Sequence, residues 1–433
     1  MGTTTVQSGN PLANKQYSKA LSAMATRQPT PIVALTGPMP SEDDALRKLR
    51  QQSTTEMPIV RVDELASGPG DTVQLDCAHV VKLRAVMGDR NAEGMGATLK
   101  YSTQDIKIDM ATLPVSAGGK MTQKRTPHDM RKNALQQLKG GIPRFRWQRI
   151  LALLAGARGA QDGTDWVLPL ASDPDFADQM VNPLKAPTYN RHWVVDGGTL
   201  VQGGAQLASI DNTDKLLLSC LDEFAAIWEE MGTKMAPIQI PGDPAAGDDP
   251  IKGVLLIDPL VWDGLITDNT AAGNIRMYQA AAIKRAEYGD LRKHPLFAGS
   301  PLLWNGILMR KMQHGIRFNA SDAVQVVTAA NRLTATETAV NVNAAITANY
   351  QVARSIFMGA QALGMASGGN RTSEETYSLL ENYSNFGRNL ELAGEVIGAE
   401  QKLRWDLPNA NGDLEPTDFG VAVIDSIIKK RNV

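Results

Sequence analysis

The sequence predicts an α+β fold built around an antiparallel sheet, and three patterns carry that prediction. Apolar residues alternate with period two from Thr72 to Met87 and again from Ile106 to Met110. Two apolar stripes at helical spacing follow, one through Trp147, Ile150, Leu151 and Leu154, the other through Leu217, Leu221, Phe224, Trp228 and Met231. Towards the C-terminus, short apolar runs are broken by glycine, as in "ARSIFMGAQALGMA", "NLELAGEVIGAEQKLRW" and "DFGVAVIDSIIKK".

Composition bounds the function. The 433 residues are 43% hydrophobic and 21% charged, which suits a folded globular chain. Forty-four basic against 46 acidic residues leave a formal charge of -2, so any contact with nucleic acid has to be local rather than global. No apolar run is long enough to span a membrane, and the start "MGTTTVQSGNPLANKQ" lacks the apolar centre of a secretory signal. Val6 stands where a myristoylation start wants Ser or Thr. Cys77 and Cys220, far apart, suit a reducing compartment without a disulfide framework. The chain reads as cytosolic where it is made.

Residues 1–70 are polar and Thr/Ser/Pro-rich, an extended arm that can order itself only against another surface. One short helix is expected at "SEDDALRKLR", with Ser41 as N-cap, acids in its first turn and bases in its last. The long alternating stretch comes next. Sixteen residues from Thr72 to Met87 would span about 50 Å as one strand, against a radius of gyration of ~22 Å for a compact chain of this length. Either the strand bends inside a sheet, or the hairpin projects around its Gly88, Gly94 and Gly96 tip. A projecting hairpin needs something to lie on, because two strands alone are marginal in water.

In "TPHDMRKNALQQLKGGIPRFRWQRILALLAGA" Thr126 is the expected N-cap and Pro127 the first helical residue, with a kink or break at Gly140, Gly141 and Pro143. From Lys124 to Arg149 eight basic residues face a single acid, Asp129. That stretch is a cationic face for a phosphate backbone, a cationic face for an acidic surface on another subunit, or a solvated helix face. A second helix is expected over Asn212–Met231. Asp243, Asp248 and Asp249 form a loop without EF-hand spacing. "HPLFAGSPLLWNGILMRK" reads as a turn and a strand, and 328–349 is ambiguous.

Catalytic signatures are missing. Gly119-Lys120 is followed by Met121 rather than the Ser or Thr of a phosphate loop, and neither H-E-x-x-H nor C-x-x-C occurs. Cys77 and His79 share one face of a strand, but two ligands do not make a zinc site. "VDGGTLVQGGAQ" is glycine-rich without the strand–turn–helix context of a dinucleotide fingerprint. No cofactor, metal or catalytic residue is assigned.

The order of features is more informative: polar arm, long hairpin, long basic helix, α/β segment, returning strands. With "GDTVQLD", "GDRNAEGMGATLKY", "IKIDMATLPVSAGGKMTQKRTPHDMRKNA", "HPLFAGSPLLWNGILM", "IFMGAQAL", "ENYSNFG" and "DFGVAVIDS", it resembles the major capsid proteins of tailed bacteriophages with the Hong Kong 97-type fold, in the branch typified by the podovirus N-four. The resemblance implies an N-terminal arm (1–70), an extended E-loop hairpin (71–123), a peripheral domain with a spine helix (124–205 and 346–433) and an axial domain (206–345). It implies a homo-oligomer of hexamers and pentamers in an icosahedral shell around packaged double-stranded DNA. Scaffolding, decoration and portal proteins would be partners, no membrane would be involved, and the virion would assemble in the bacterial cytoplasm. The E-loop contacts would fall on Lys82, Arg84, Asp89, Arg90, Glu93, Lys100, Lys107 and Asp109. The DNA-facing or inter-subunit basic face would hold Lys124, Arg125, Arg131, Lys132, Arg144, Arg146 and Arg149. The competing readings are a hydrolase-like enzyme using the Asp243–Asp249 loop, and another ring-forming virion protein such as a portal.

Overall fold

The computed structural model describes residues 31–39, 52–63, 65, 69–79, 85–88, 90–91, 93–161, 166–240, 243, 247, 249–267, 294–297, 301–368, 377–409 and 413–430. The helix expected over 41–50 lies outside them, as do Lys82, Arg84, Asp89 and Asp248.

The N-terminal half runs α1 (Ile32–Leu35), β1 (Ile59–Val62), β2 (Thr72–Ala78), β3 (Tyr101–Lys107), β4 (Met110–Gly119), α2 (Lys120–Arg125), α3 (Met130–Ala155) and α4 (Asp175–Met180). Then come β5 (His192–Asp196), β6 (Thr199–Gln202), α5 (Leu218–Glu230), β7 (Gly253–Ile257), α6 (Pro259–Thr267), β8 (Leu302–Trp304), β9 (Ile307–Lys311) and β10 (Ile316–Phe318). The chain closes with β11 (Ala323–Val327), β12 (Glu337–Asn341), β13 (Tyr350–Met358), β14 (Leu363–Ser367), β15 (Tyr377–Ser384), β16 (Asn389–Lys402), β17 (Arg404–Pro408), β18 (Leu414–Asp418) and β19 (Val421–Lys429).

Two sheets organise these elements. The larger is ordered β6-β5-β19-β13-β7-β9-β8, with β10 on β13. It is mixed rather than purely antiparallel: β5 runs parallel to β19, and β7 parallel to β9. A parallel return needs a crossover, and α6 forms part of the one between β7 and β9. Along β7 the pleat sends Val254 and Leu256 into one cluster with Trp147, Ile150, Leu151 and Leu154 of α3. Leu255 and Ile257 go to the other face, against Leu221, Phe224 and Trp228 of α5 and Trp262 of α6. With both faces covered, the central strands read as unbroken apolar runs. Each fully buried large side chain stabilises by roughly 1.5–3 kcal/mol. Phe224 also meets Trp193 and Phe357 edge-on, with centroids 5.3 and 4.9 Å away. This sheet takes β5, β6, β13 and β19 from the spans 124–205 and 346–433, and β7 to β10 from 206–345.

The second sheet is ordered β1-β14-β16-β15, with β4 also on β16. It also takes up part of the N-terminal segment. β1 adds parallel to β14, from Ile59↔Leu363 to Val62↔Ala366, and α1 buries Ala34 and Leu35 in the main core. The surface that orders these parts of the arm belongs to the same subunit.

The spine helix also departs from expectation. Asp129, not Thr126, caps α3, its carboxylate accepting from Lys132 N at 3.0 Å, whereas Thr126 Oγ1 accepts from His128 N. Pro143 lies inside the helix and does not end it. Leu138 on one side of the proline and Phe145 and Trp147 on the other are buried, which offsets the ~3 kcal/mol an interior proline costs. Its 26 residues make about 39 Å of helix. Gly156 ends it at φ 66, where a Cβ would sit 2.5 Å from Lys185 O. The second helix begins at Leu218 rather than Asn212. Asp214 holds the preceding turn by accepting from Gly197 N and Asp211 N. "SPLLWNGILMRK" is not one strand but the β8–β9 hairpin, turning on Asn305 and Gly306 with φ 46 and 76.

Candidate assembly surfaces

Among the described residues β2 and β3 pair from Thr72↔Lys107 to Ala78↔Tyr101, a paired stem of seven residues, and residues 85–88 carry no strand. At seven residues it spans about 23 Å. One face of the stem is anchored. Val73 and Ile106 are buried with Val60, Val62 and Ala366, and Leu75 and Cys77 pack on Leu403, Trp405 and Leu407. Gln104 Nε2 donates to Lys402 O at 2.9 Å while its Oε1 accepts from Arg404 N at 2.8 Å. Asn182 brackets Lys107 in the same way, accepting from its N–H and donating to its carbonyl. His79 closes the stem through Nε2 to Ser102 Oγ at 2.7 Å. The histidine is packed within the hairpin.

Beyond that stem the described residues of the ribbon are bare. Met87 is 74% exposed, Met95 61% and Leu99 63%, and Tyr101, at the end of the stem, is 63% exposed. A Cβ placed on Gly88, Gly94 or Gly96 would meet nothing within 4 Å. Arg90, Glu93 and Lys100 are exposed on this tip, and Lys107 and Asp109 are exposed at its root. These five share one projecting element. The apolar residues interleaved with them are what the sequence reading passed over, although the spacing Met87, Met95, Leu99 was visible in it.

The predicted basic face divides. Lys124, Arg125, Arg131 and Lys132 are exposed and Arg144 is half-buried. Arg131 pairs with Glu381 of β15. Arg146 and Arg149 leave the face altogether: both are buried and paired with Glu400 of β16, Arg149 at 2.6 Å. Their half of α3 lies inside the core, so no partner reaches them in this subunit. The two arginines outweigh the burial that would raise the Glu400 carboxyl, and hold it below its ordinary range.

Two more buried carboxylates act as Glu400 does. Asp425 of β19 accepts from Arg354 at 2.8 Å and meets His192 Nε2 at 2.7 Å. Against the upward push of burial, Arg354 and His192 lower it to about 2. Asp418 of β18 is shared by Arg404 at 2.7 Å and Lys402 at 2.8 Å, and burial lowers the lysine to about 8. The only trace of these pairs in the sequence is a lone acid inside an apolar strand, as in "VAVIDSII". They lock strands and the spine helix together. Among the described residues no group of three or more His, Cys, Asp or Glu could hold a metal ion.

A family model described as phage capsid protein matches residues 5–430. The chain belongs to that family. Among solved structures, this capsid protein is similar to the capsid of Ralstonia phage GP4 at 23% identity, covering 100% of each chain with a TM-score of 0.71. It is also similar to the capsid of cyanophage Pam1 at 14% identity, covering 88% of this chain and 90% of that one, with a TM-score of 0.57. The head structure of Helicobacter pylori bacteriophage KHP40 matches at 11% identity over 98% of each chain, with a TM-score of 0.54. No curated protein sequence matches it. These likenesses establish the fold as Hong Kong 97-type, the class the order of sequence features predicts.

Proposed function

We propose that this capsid protein builds the icosahedral head of a tailed phage, from hexamers and pentamers of itself around packaged double-stranded DNA. The observation that carries the reading is the ribbon: an anchored stem with a bare, apolar tip, in a chain of the phage capsid family. Four large apolar side chains left in water on one projection are unfavourable for a monomer, and they become favourable when a neighbouring copy covers them. Heterologous contacts of this kind close into rings. Exposed Arg90, Glu93, Lys100, Lys107 and Asp109 set the register of that contact. Each such pair is worth only ~0.2–1 kcal/mol at a wet surface, so strength comes from repetition.

In this reading 71–123 is the E-loop, 1–70 the arm, 124–205 with 346–433 the peripheral domain and 206–345 the axial domain. Assembly takes place in the bacterial cytoplasm with scaffolding, decoration and portal partners, and the chain belongs to the podovirus N-four-like branch. The test is to express the full chain alone and with a short Gly-Ser turn replacing residues 86–99, and to image both by negative stain. The intact chain forms closed shells or capsomers. The shortened chain keeps its circular dichroism and thermal midpoint but stays unassembled. Shells of ordinary size from the shortened chain would refute the role of the ribbon.

A further inference from the structure

Two features stand at opposite ends of one strand pair, β4 and β16. The first is the turn between β15 and β16, where residues 385–388 join Ser384 to Asn389. Phe386 in this turn is 102% exposed, more than any other large apolar side chain described. It is also held at φ 54, between Asn385 at φ 50 and Gly387 at φ 75. A bulky residue rarely adopts that conformation, and it persists only where the surroundings over-determine it. Here they do. Arg388 N donates to Asn385 O at 3.1 Å across the turn, and Arg388 O accepts from Lys120 N at 2.9 Å, which ties the turn to the start of α2. The ring is a knob held out into solvent by a braced backbone.

The second feature is a cleft of about 410 Å³ between the start of β4, α3 and α4, a size ordinary for binding clefts. Its apolar lining includes Leu113, Phe145 and Val181, and its carboxylates are Asp109, Asp175 and Asp178, all three exposed. Among the described residues none of these three has a cationic partner, and they form no metal-holding group. Arg149, which also lines the cleft, is turned to Glu400. An apolar hollow with uncompensated negative charge fits an aromatic ring carried beside a cation. Arg388 is such a cation: it is exposed, two residues from Phe386, and has no acidic partner among the described residues.

The register keeps the knob away from its own cleft. β4 pairs with β16 from Met110↔Ile397 to Gly119↔Asn389, so the cleft lies at one end of the strand and the turn at the other. The ten residues of β4 span about 30 Å. From this we infer that the β15–β16 turn seats Phe386 in the β4–α3–α4 cleft of a second copy, with Arg388 at its carboxylates. That the partner is another copy rests on the capsid reading above. A donor and a receiver at opposite ends of one chain make a heterologous contact, which repeats from copy to copy. The turn is the occupant rather than the ribbon, because a concave site is filled best by a compact, rigid aromatic anchor. Met87, Met95 and Leu99 are instead spread along the length of the ribbon.

The experiment assembles the full-length Arg388→Cys/Asp178→Cys variant, both exposed positions, and treats the particles with oxidised glutathione. Non-reducing gels should show a ladder of covalent multimers that is absent from each single variant and from dissociated subunits treated alike. In a second arm F386G, whose glycine suits φ 54, leaves the thermal midpoint of the subunit at or above the wild-type value. It raises the subunit concentration needed for assembly by about tenfold, as loss of a buried aromatic anchor does. R388E does the same, and R388E/D178R recovers assembly. Particles of R388C/D178C without the ladder would overturn the contact, as would F386G assembling at the wild-type concentration. A ladder from Met95→Cys/Asp178→Cys in its place would give the cleft to the ribbon and overturn it too. Should R388C/D178C not assemble, the rescue of R388E by D178R decides, and its failure overturns the contact. If the wild-type chain forms no particles at all, the capsid reading itself fails, a result distinct from particles that lack the ladder.

Discussion

Replacing Glu400 with glutamine tests how the spine helix is held to the second sheet. The side chain is fully buried, with Arg146 and Arg149 on its two oxygens at 5% and 1% exposure. Glutamine keeps the shape and removes the charge, so two guanidinium groups stay buried without a counter-ion. Breaking a buried pair by removing one partner costs about 3–5 kcal/mol. Arg149 keeps its bond to Gly398 O, which places E400Q at the lower end, near ~3 kcal/mol. That is a large share of the 5–15 kcal/mol that stabilises an ordinary domain. The assay is urea unfolding of unassembled subunits followed by circular dichroism, with the triple variant E400L/R146M/R149M alongside. The triple variant should lose less than E400Q, because an apolar replacement removes the desolvation penalty together with the attraction. A loss under 1 kcal/mol for E400Q, or a triple variant less stable than the single, would refute this account of the pair.

Three other outcomes are expected. G394V, which drives a side chain into Ile142, should cost about 1–3 kcal/mol, whereas G141A, with open space around it in a helix interior, should gain about 0.5–1 kcal/mol; paired thermal melts check both. Burial, with help from Arg354 and Lys402, holds folded His192 below its ordinary 6.5 despite Asp425. The unfolded chain therefore binds the extra proton first, stability falls as pH drops below 6.5, and H192Q should flatten the urea midpoint between pH 7 and 5. Asp425 is also shifted down, from 3.8 to about 2, here because its charged form is paired, so its contribution is present above pH 3.8 and lost as pH falls towards 2. It amounts to about 2 kcal/mol, and D425N should remove that portion of the acid transition, measured by titration at fixed urea.

The elements with one wet face were legible in the sequence. Along β2 the alternation assigned Val73, Leu75, Cys77 and His79 to one side, and the burial of Thr72–His79 follows it. The α5 stripe through Leu221, Phe224 and Trp228 is likewise buried as its spacing required. What stayed hidden depends on partners distant in the chain. Gly394 and Gly398 read as breaks in short strands, yet both lie inside the 14-residue β16. Gly394 makes room for Ile142, and Gly398, at φ 152, lies where a Cβ would meet Ala366 O at 2.7 Å. Arg146 and Arg149 looked like the continuation of an exposed basic run, because nothing near them announces Glu400, about 250 residues on. Pro143 looked like a kink or break for the same reason: local propensity cannot see the core that α3 enters.

The account turns on the ribbon finding its cover in a sister molecule. The direct measurement is amide hydrogen exchange over residues 85–100, compared between dissociated subunits and assembled particles. The account predicts rapid exchange in the subunit and protection of at least a hundredfold in the particle, with the β2–β3 stem protected in both. Equal exchange over 85–100 in the two states would contradict it.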